Sequence, residues 1–327
     1  MNGYKSKCIS HRKCDIHAAS HRKRNWVVSC LFTLVTMVLG GLCVWAIFPR
    51  KVARLQSKIE HSVKMIEVRR HLPEVMKNVE SPLLIACGNE CSYKKPEFWI
   101  AHGGGIGEFV HTNCLEAVQD SLKRGFRFIE LDLLETRDNH LVGGHSWKEL
   151  RAITGSDVVS EARMSKADIV ALRAKWKKTP LFAEDICQLL RDNPNMILVT
   201  DKTQNFELLM REIPYPDQMV LEAFDFPAYL QAIRAGFRNV ALSAGSLDSL
   251  LKALQYRIPG IVIDSSLLET TPEIFELVKQ LHQNGCCITV FYSKVSDKSE
   301  YIYRHLGKNI SRIYTDTWSP SAPPPQP

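Results

Sequence analysis

The sequence predicts an α/β protein, a TIM-type (β/α)8 barrel preceded by one transmembrane helix. Three observations lead there: eight short β-type runs alternating with helical segments, an uncharged apolar stretch over residues 26–48, and reactive side chains gathered where the β-type runs end. A chain of 327 residues with 45% hydrophobic content accommodates one large domain and an appendage. Five segments follow: a basic tail (1–25), the span (26–48), a juxtamembrane helical stalk (49–97), the barrel (98–318) and a proline-rich tail (319–327) expected to be disordered.

The span comes first. Its 23 residues at helical rise cover about 35 Å, slightly more than a bilayer's hydrocarbon core. Trp26 and Trp45 sit near its ends, where amphipathic rings prefer the headgroup level, and Arg22, Lys23, Arg24, Arg50 and Lys51 flank it. A secretory signal peptide fits less well, because the run is too long for such a core and no A-x-A-like site follows; Leu42 also makes a poor lipoprotein cleavage site before Cys43. The net charge of +7 lies largely on both sides of this run, which points to membrane phosphates as the partner and away from nucleic acid. Basic residues nearly balance across the span, so the positive-inside rule barely decides orientation. A first span usually acts as a signal anchor, and the barrel is therefore expected on the extracytoplasmic side of a single-pass protein.

In the stalk, Val52, Leu55, Ile59, Val63 and Ile66 recur at three- and four-residue steps, an amphipathic helix ending near Pro73. The same stripe would serve a homodimer, although five positions over about two heptads are too few to define a coiled coil. Ten cysteines leave the compartment open: Cys87 and Cys91, in CGNEC, form a small disulfide if exported or remain thiols. No second paired cluster follows with zinc-ligand spacing.

The β-type runs fall at 98–104, 128–134, 196–202, 219–224, 239–244, 260–265, 286–293 and 312–317, with helices such as 113–124 and 271–284 between them. Apolar strands separated by helices imply a parallel sheet buried on both faces, and eight such units favour a closed barrel over an open sheet. Gly103, Gly104, Gly105 and Gly107 follow the first run, but their spacing is not the G-x-G-x-x-G of a dinucleotide site.

Polar residues stand where a barrel places its active site: His102 after the first strand, Glu130 and Asp132 in the second, His145 beyond it, Asp201 and Lys202 after the third. Glu130 and Asp132 are two apart and share a face. Facing the helices, they would bury two charges in an apolar layer; facing the lumen, they can hold one hard divalent cation, Mg²⁺ or Ca²⁺, or form a lumen salt bridge. They are too close in sequence to flank a glycosidic bond. His111 and Glu108 lie in the loop after His102 and either line the site or, as is the default for a loop, stay solvated. Glu222 and Asp264 end later strands, and Trp147, Phe291 and Tyr292 either wall a pocket or pack.

The order and spacing of IAHGGG, TNCLEAVQDSLKRGFRFIELDLLETRDNHLVGGH, TPLFAEDICQLL, MILVTDK and RIYTDTWSP resemble the glycerophosphodiester phosphodiesterase family over about residues 98–318. The resemblance implies roles for His102, Asn113, Glu130, Asp132, His145, Asp201 and the Thr315–Asp316 pair: a cation on Glu130, Asp132 and Asp201, substrate contacts from Asn113 and Lys202, and His102 and His145 as acid and base, giving a cyclic phosphate. Three positions depart from the family pattern. Gly103 replaces an arginine that helps hold phosphate, Ser146 replaces an aspartate, and the third acidic ligand, Asp201, is shifted as in the related phospholipase D-type toxins. The expected function is a membrane-anchored, metal-dependent phosphodiesterase acting on a glycerophosphodiester, lysophospholipid or phosphate-linked glycan. The alternative is a catalytically inactive membrane-tethered barrel that binds a phosphorylated lipid or glycan.

Overall fold

The structure, a computed structural model, describes residues 49–85, 95–270, 273–291 and 307–321. The chain divides into two compact units, residues 1–64 and 65–327. The expected span at 26–48, the CGNEC cysteines, Tyr292 and the end of the proline-rich tail lie outside the described residues. Among the described residues no helix is long and apolar enough to cross a membrane.

The second unit is an eight-stranded parallel barrel. Its strands are β1 (Trp99–Ala101), β2 (Phe128–Glu135), β4 (Ile197–Asp201), β5 (Met219–Ala223), β6 (Val240–Ser243), β7 (Gly260–Asp264), β8 (Cys287–Phe291) and β9 (Arg312–Thr315), and β1 pairs with both β2 and β9 to close the ring. All eight expected strands form, so the sheet is the one the apolar runs imply. A further short strand, β3 (Leu141–Gly143), folds back antiparallel on the C-terminal end of β2, pairing Leu133 with Gly143. The first strand is shorter than expected, because residues 102–104 leave it in a tight turn with Gly103 at φ +54°.

Alternation along each strand sorts the core into two layers. Ile129, Leu131, Leu198, Leu221, Leu242, Ile261 and Ile288 face the helices. Ile100, Phe128, Val199, Val220, Ala241, Val262 and Tyr314 face the lumen. Because successive side chains point to opposite faces, Glu130 and Asp132 share the lumen face with Phe128, and Asp201 shares it with Val199.

A short helix seals the lumen from below. The helix α1 (Pro49–Met76) contributes Val68 and Leu72 to the outer core, and α2 (Pro82–Ile85) carries Leu84 into the lumen cluster. Asn239 Oδ1 accepts from the Leu83 N–H at 2.9 Å, and Arg312 Nη2 donates to the Leu83 carbonyl at 2.9 Å. Arg312 itself is buried with its guanidinium 4.1 Å from the Phe128 ring centroid. Residues 65–85 therefore belong to the packing of the second unit. Leu55, Ile59 and Val63, in the first unit, are exposed.

Candidate active site

Three carboxylates converge at the C-terminal rim of the lumen. Parallel pairing sets Asp132 level with Asp201 on the neighbouring strand, and Glu130 lies one lumen position deeper. One oxygen from each of Glu130, Asp132 and Asp201 lies within 4.8 Å of the others. Burial, then the charges of Asp132 and Asp201, raises the Glu130 carboxyl well above its ordinary range. Burial and the Asp132 charge push Asp201 up to about 8. The Asp201 Oδ1 atom is buried and has no hydrogen-bond partner among the described residues. An all-oxygen donor set with repelling charges and an orphaned acceptor suits a hard divalent cation such as Mg²⁺ or Ca²⁺.

Asn113 orients this cluster. Its Oδ1 accepts from the Asp132 N–H at 2.9 Å, and its Nδ2 donates to Asp132 Oδ2 at 3.0 Å. Both ends of the buried amide thus engage Asp132. Lys202 Nζ stands 3.6 Å from Asp132 Oδ1 and supplies the nearest described positive charge to that carboxylate.

The histidines flank the acids. His102 follows β1, and its Nδ1 lies 3.0 Å from Asp316 Oδ1 just beyond β9. An ionised carboxylate only accepts, so Asp316 holds the hydrogen on Nδ1 and leaves Nε2 as the exchangeable nitrogen. Phe291 and Tyr314 pack edge-on against the His102 ring, with centroids at 5.1 and 5.6 Å. His145 follows the β2–β3 hairpin, one residue beyond Gly144, whose N–H donates to the Asp132 carbonyl at 2.9 Å. The imidazole is exposed, with Nδ1 3.3 Å from Glu149 Oε2. Ser146, at the position where the family has aspartate, caps α3 (Trp147–Ile153) by accepting from the Glu149 N–H at 3.2 Å, a role that aspartate also fills.

The loop after β1 brings His111, which stays exposed on one side, against His102. Gly103 donates its N–H to Glu130 Oε2 at 2.7 Å, and its carbonyl accepts from the Asn113 N–H at 2.8 Å. A Cβ on Gly103 would collide with the His111 Cα, so this close approach requires glycine. The His111 ring consequently meets the His102 ring edge to face, with centroids 4.1 Å apart, and its Nε2 lies 3.8 Å from Asp316 Oδ2. Burial, then the neighbouring His102, lowers the His111 pKa. Nothing in the periodicity of a Gly-rich loop announces that contact.

The remaining candidates divide. Glu222 accepts from the Tyr314 hydroxyl at 3.0 Å in the lumen, and burial raises its pKa. Asp264 Oδ1 accepts from the Ser266 N–H at 2.7 Å, and Trp147 packs with Val142, Leu150 and Phe182. Glu108 is an exposed loop residue whose carbonyl accepts from Lys178 Nζ at 3.1 Å.

A parallel (β/α) barrel with acids and histidines at the C-terminal strand ends defines a class, the barrel enzymes whose chemistry sits on one rim. Residues 102–258 match the sequence profile of the glycerophosphoryl diester phosphodiesterase family, whose members are phosphoric diester hydrolases. Solved structures share the fold. A glycerophosphodiester phosphodiesterase from Thermotoga maritima is 18% identical, with a TM-score of 0.54 over 67% of this chain and 94% of that one. A glycerophosphoryl diester phosphodiesterase from Parabacteroides distasonis is 14% identical, with a TM-score of 0.56 over 73% and 89%. An Oleispira antarctica phosphodiesterase, in complex with its product sn-glycerol-3-phosphate, is 14% identical with a TM-score of 0.51 over 67% and 92%. No curated protein matches the chain in sequence.

Proposed function

We propose that the chain is a membrane-anchored, metal-dependent phosphodiesterase that hydrolyses a glycerophosphodiester or a related, lipid-derived phosphodiester by histidine acid–base catalysis. The observation that carries this reading is the cluster of Glu130, Asp132 and Asp201, with its orphaned oxygen, beside the Asp316-oriented His102. The bound product named for the Oleispira protein agrees with a phosphodiester substrate.

A divalent cation held by the three carboxylates supplies charge neutralisation for the phosphoryl group and the hydroxyl that attacks it. One imidazole, His102 or His145, takes the proton of a hydroxyl neighbouring the phosphodiester as its oxygen bonds to phosphorus. The other delivers a proton to the alcohol as the old phosphorus–oxygen bond breaks. Asp316 holds His102 in one tautomer throughout, and Lys202 adds positive charge at the Asp132 side. The uncharged run at 26–48 supports tethering of the barrel to a membrane, with the barrel on its extracytoplasmic side, and exposed Leu55, Ile59 and Val63 are compatible with pairing of two stalks.

The deciding assay incubates the full chain with sn-glycero-3-phosphocholine, lysophosphatidylcholine and bis(4-nitrophenyl) phosphate, with Mg²⁺, Ca²⁺ or chelator. Release of a cyclic phosphate or phosphomonoester from the hydroxyl-bearing diesters is expected, abolished by chelator, with little from the aryl diester because it lacks a neighbouring hydroxyl. Glu130→Ala, Asp132→Ala and Asp201→Ala should each remove cation binding in calorimetry while leaving the barrel folded. A protein that binds these diesters in the presence of cation without cleaving any of them is instead the inactive binding barrel.

A further inference from the structure

We infer that His111 contacts the substrate, donating a hydrogen bond to a non-bridging oxygen of the phosphoryl group beside His102; the inference rests on the phosphodiesterase reading above. Four observations point to it. The His111 ring stands edge-on to the His102 ring at 4.1 Å between centroids, so a group reaching the exchangeable nitrogen of His102 comes within reach of His111. Its imidazole has no hydrogen-bond partner among the described residues, since Asp316 Oδ2 at 3.8 Å is beyond bonding distance and Asp316 Oδ1 already serves His102. The ring is therefore an available donor at the rim.

The backbone is arranged around this placement. His111 and Asn113 both hold left-handed conformations, φ +54° and +51°, which side chains other than glycine adopt at a cost. Gly103, itself at φ +54°, leaves the space that the His111 backbone fills, and the Gly103 carbonyl accepts from the Asn113 N–H at 2.8 Å. The same loop residues fix Glu130 through the Gly103 N–H and Asp132 through Asn113. Strain of this kind persists where surrounding bonds over-determine it, and here those bonds lead to the acid cluster on one side and to His111 on the other.

The electrostatic balance agrees. Glu130, Asp132, Asp201 and Asp316 crowd the rim, and Lys202 is the cation in ion-pair contact with Asp132. An anionic diester entering beside His102 meets Asp316 at close range, and an uncommitted imidazole between Asp316 and solvent offers it a donor there.

Two variants test the idea in the full chain at saturating Mg²⁺. His111→Ala should raise KM for sn-glycero-3-phosphocholine by about tenfold or more and weaken calorimetric binding of sn-glycerol 3-phosphate by a similar factor, with kcat within about threefold of the parent. His111→Gln, which keeps an N–H donor, should recover most of both losses. Mg²⁺ affinity and melting temperature should match the parent in both. Unchanged KM and phosphate affinity in His111→Ala would overturn the inference while leaving the enzyme reading intact. So would a loss of bound metal, which would make His111 a ligand, or a fall in kcat that tracks melting temperature, which would make it structural. If the parent neither turns over nor binds sn-glycerol 3-phosphate, both readings fall together.

Discussion

At the scale of single residues, the site is a set of groups whose partners decide what they can do. His102 has a partner 214 residues away in sequence, Asp316, and that bond fixes which nitrogen exchanges a proton. Among the described residues His145 pairs with Glu149, one helical turn on and exposed like itself. If the two act as acid and base, His102→Ala and His145→Ala should each lower turnover at least about 10²-fold while metal binding and melting temperature stay near the parent. The pH profile of the parent should be bell-shaped, because one imidazole must be neutral while the other is charged. Near-native turnover in either variant on a confirmed substrate would exclude the mechanism. The acids were legible from two-residue spacing alone, since Glu130 and Asp132 must share a face and only the lumen tolerates them. The contact of His111 with His102 was not, because it arises from a loop conformation that Gly103 permits and no repeat pattern encodes.

At the scale of elements, what the sequence displayed best was the strands, because apolar runs buried on two faces leave an unambiguous signal. The β2–β3 hairpin was hidden, since Leu141–Gly143 is three residues long and pairs only locally. It carries the chain from the turn at Thr136–His140 back to Asp132, whose carbonyl accepts from the Gly144 N–H one residue before His145. The lower closure of the barrel was hidden too. Leu84 inserts into the lumen cluster from a helix of four residues, too short to show any periodicity, and its methyls approach Gly260 so closely that a Cβ there would lie 2.9 Å from Leu84 Cδ1. Truncating that plug leaves a hole facing Ile100, Val220 and Val262. Leu84→Ala should therefore destabilise the barrel by about 2–5 kcal/mol. Urea unfolding of parent and variant measures it. A change below about 0.5 kcal/mol would mean the helix rests on the lumen without sealing it.

At the scale of the whole molecule, two properties bear on where and when the enzyme works. An uncleaved anchor at 26–48 should keep the protein in the pellet on carbonate extraction, with an N-terminal mass that includes the span; a soluble product starting beyond residue 43 would identify a cleaved signal instead. The second property follows from the raised carboxylates. In the metal-free barrel Asp201 is pushed up to about 8 and Glu130 also lies above its ordinary range, whereas in the unfolded chain both titrate near 4. A carboxyl whose folded pKa is raised holds its proton more tightly when folded, so its contribution to stability is full below the unfolded value and is lost as pH climbs through the folded one. With chelator, Asp201 should erode stability progressively between about pH 4 and pH 8, and Glu130 should act in the same direction. Bound cation reverses that trend, because it needs the ionised carboxylates and competes with protons for them. The difference in melting temperature between Mg²⁺ and chelator should thus widen as pH rises from about 4 to about 8, and Asp201→Asn should shrink it. Taking the difference between paired scans cancels every titration that metal does not touch. Parallel curves across that range would show that the acid cluster binds no cation, whatever the barrel catalyses.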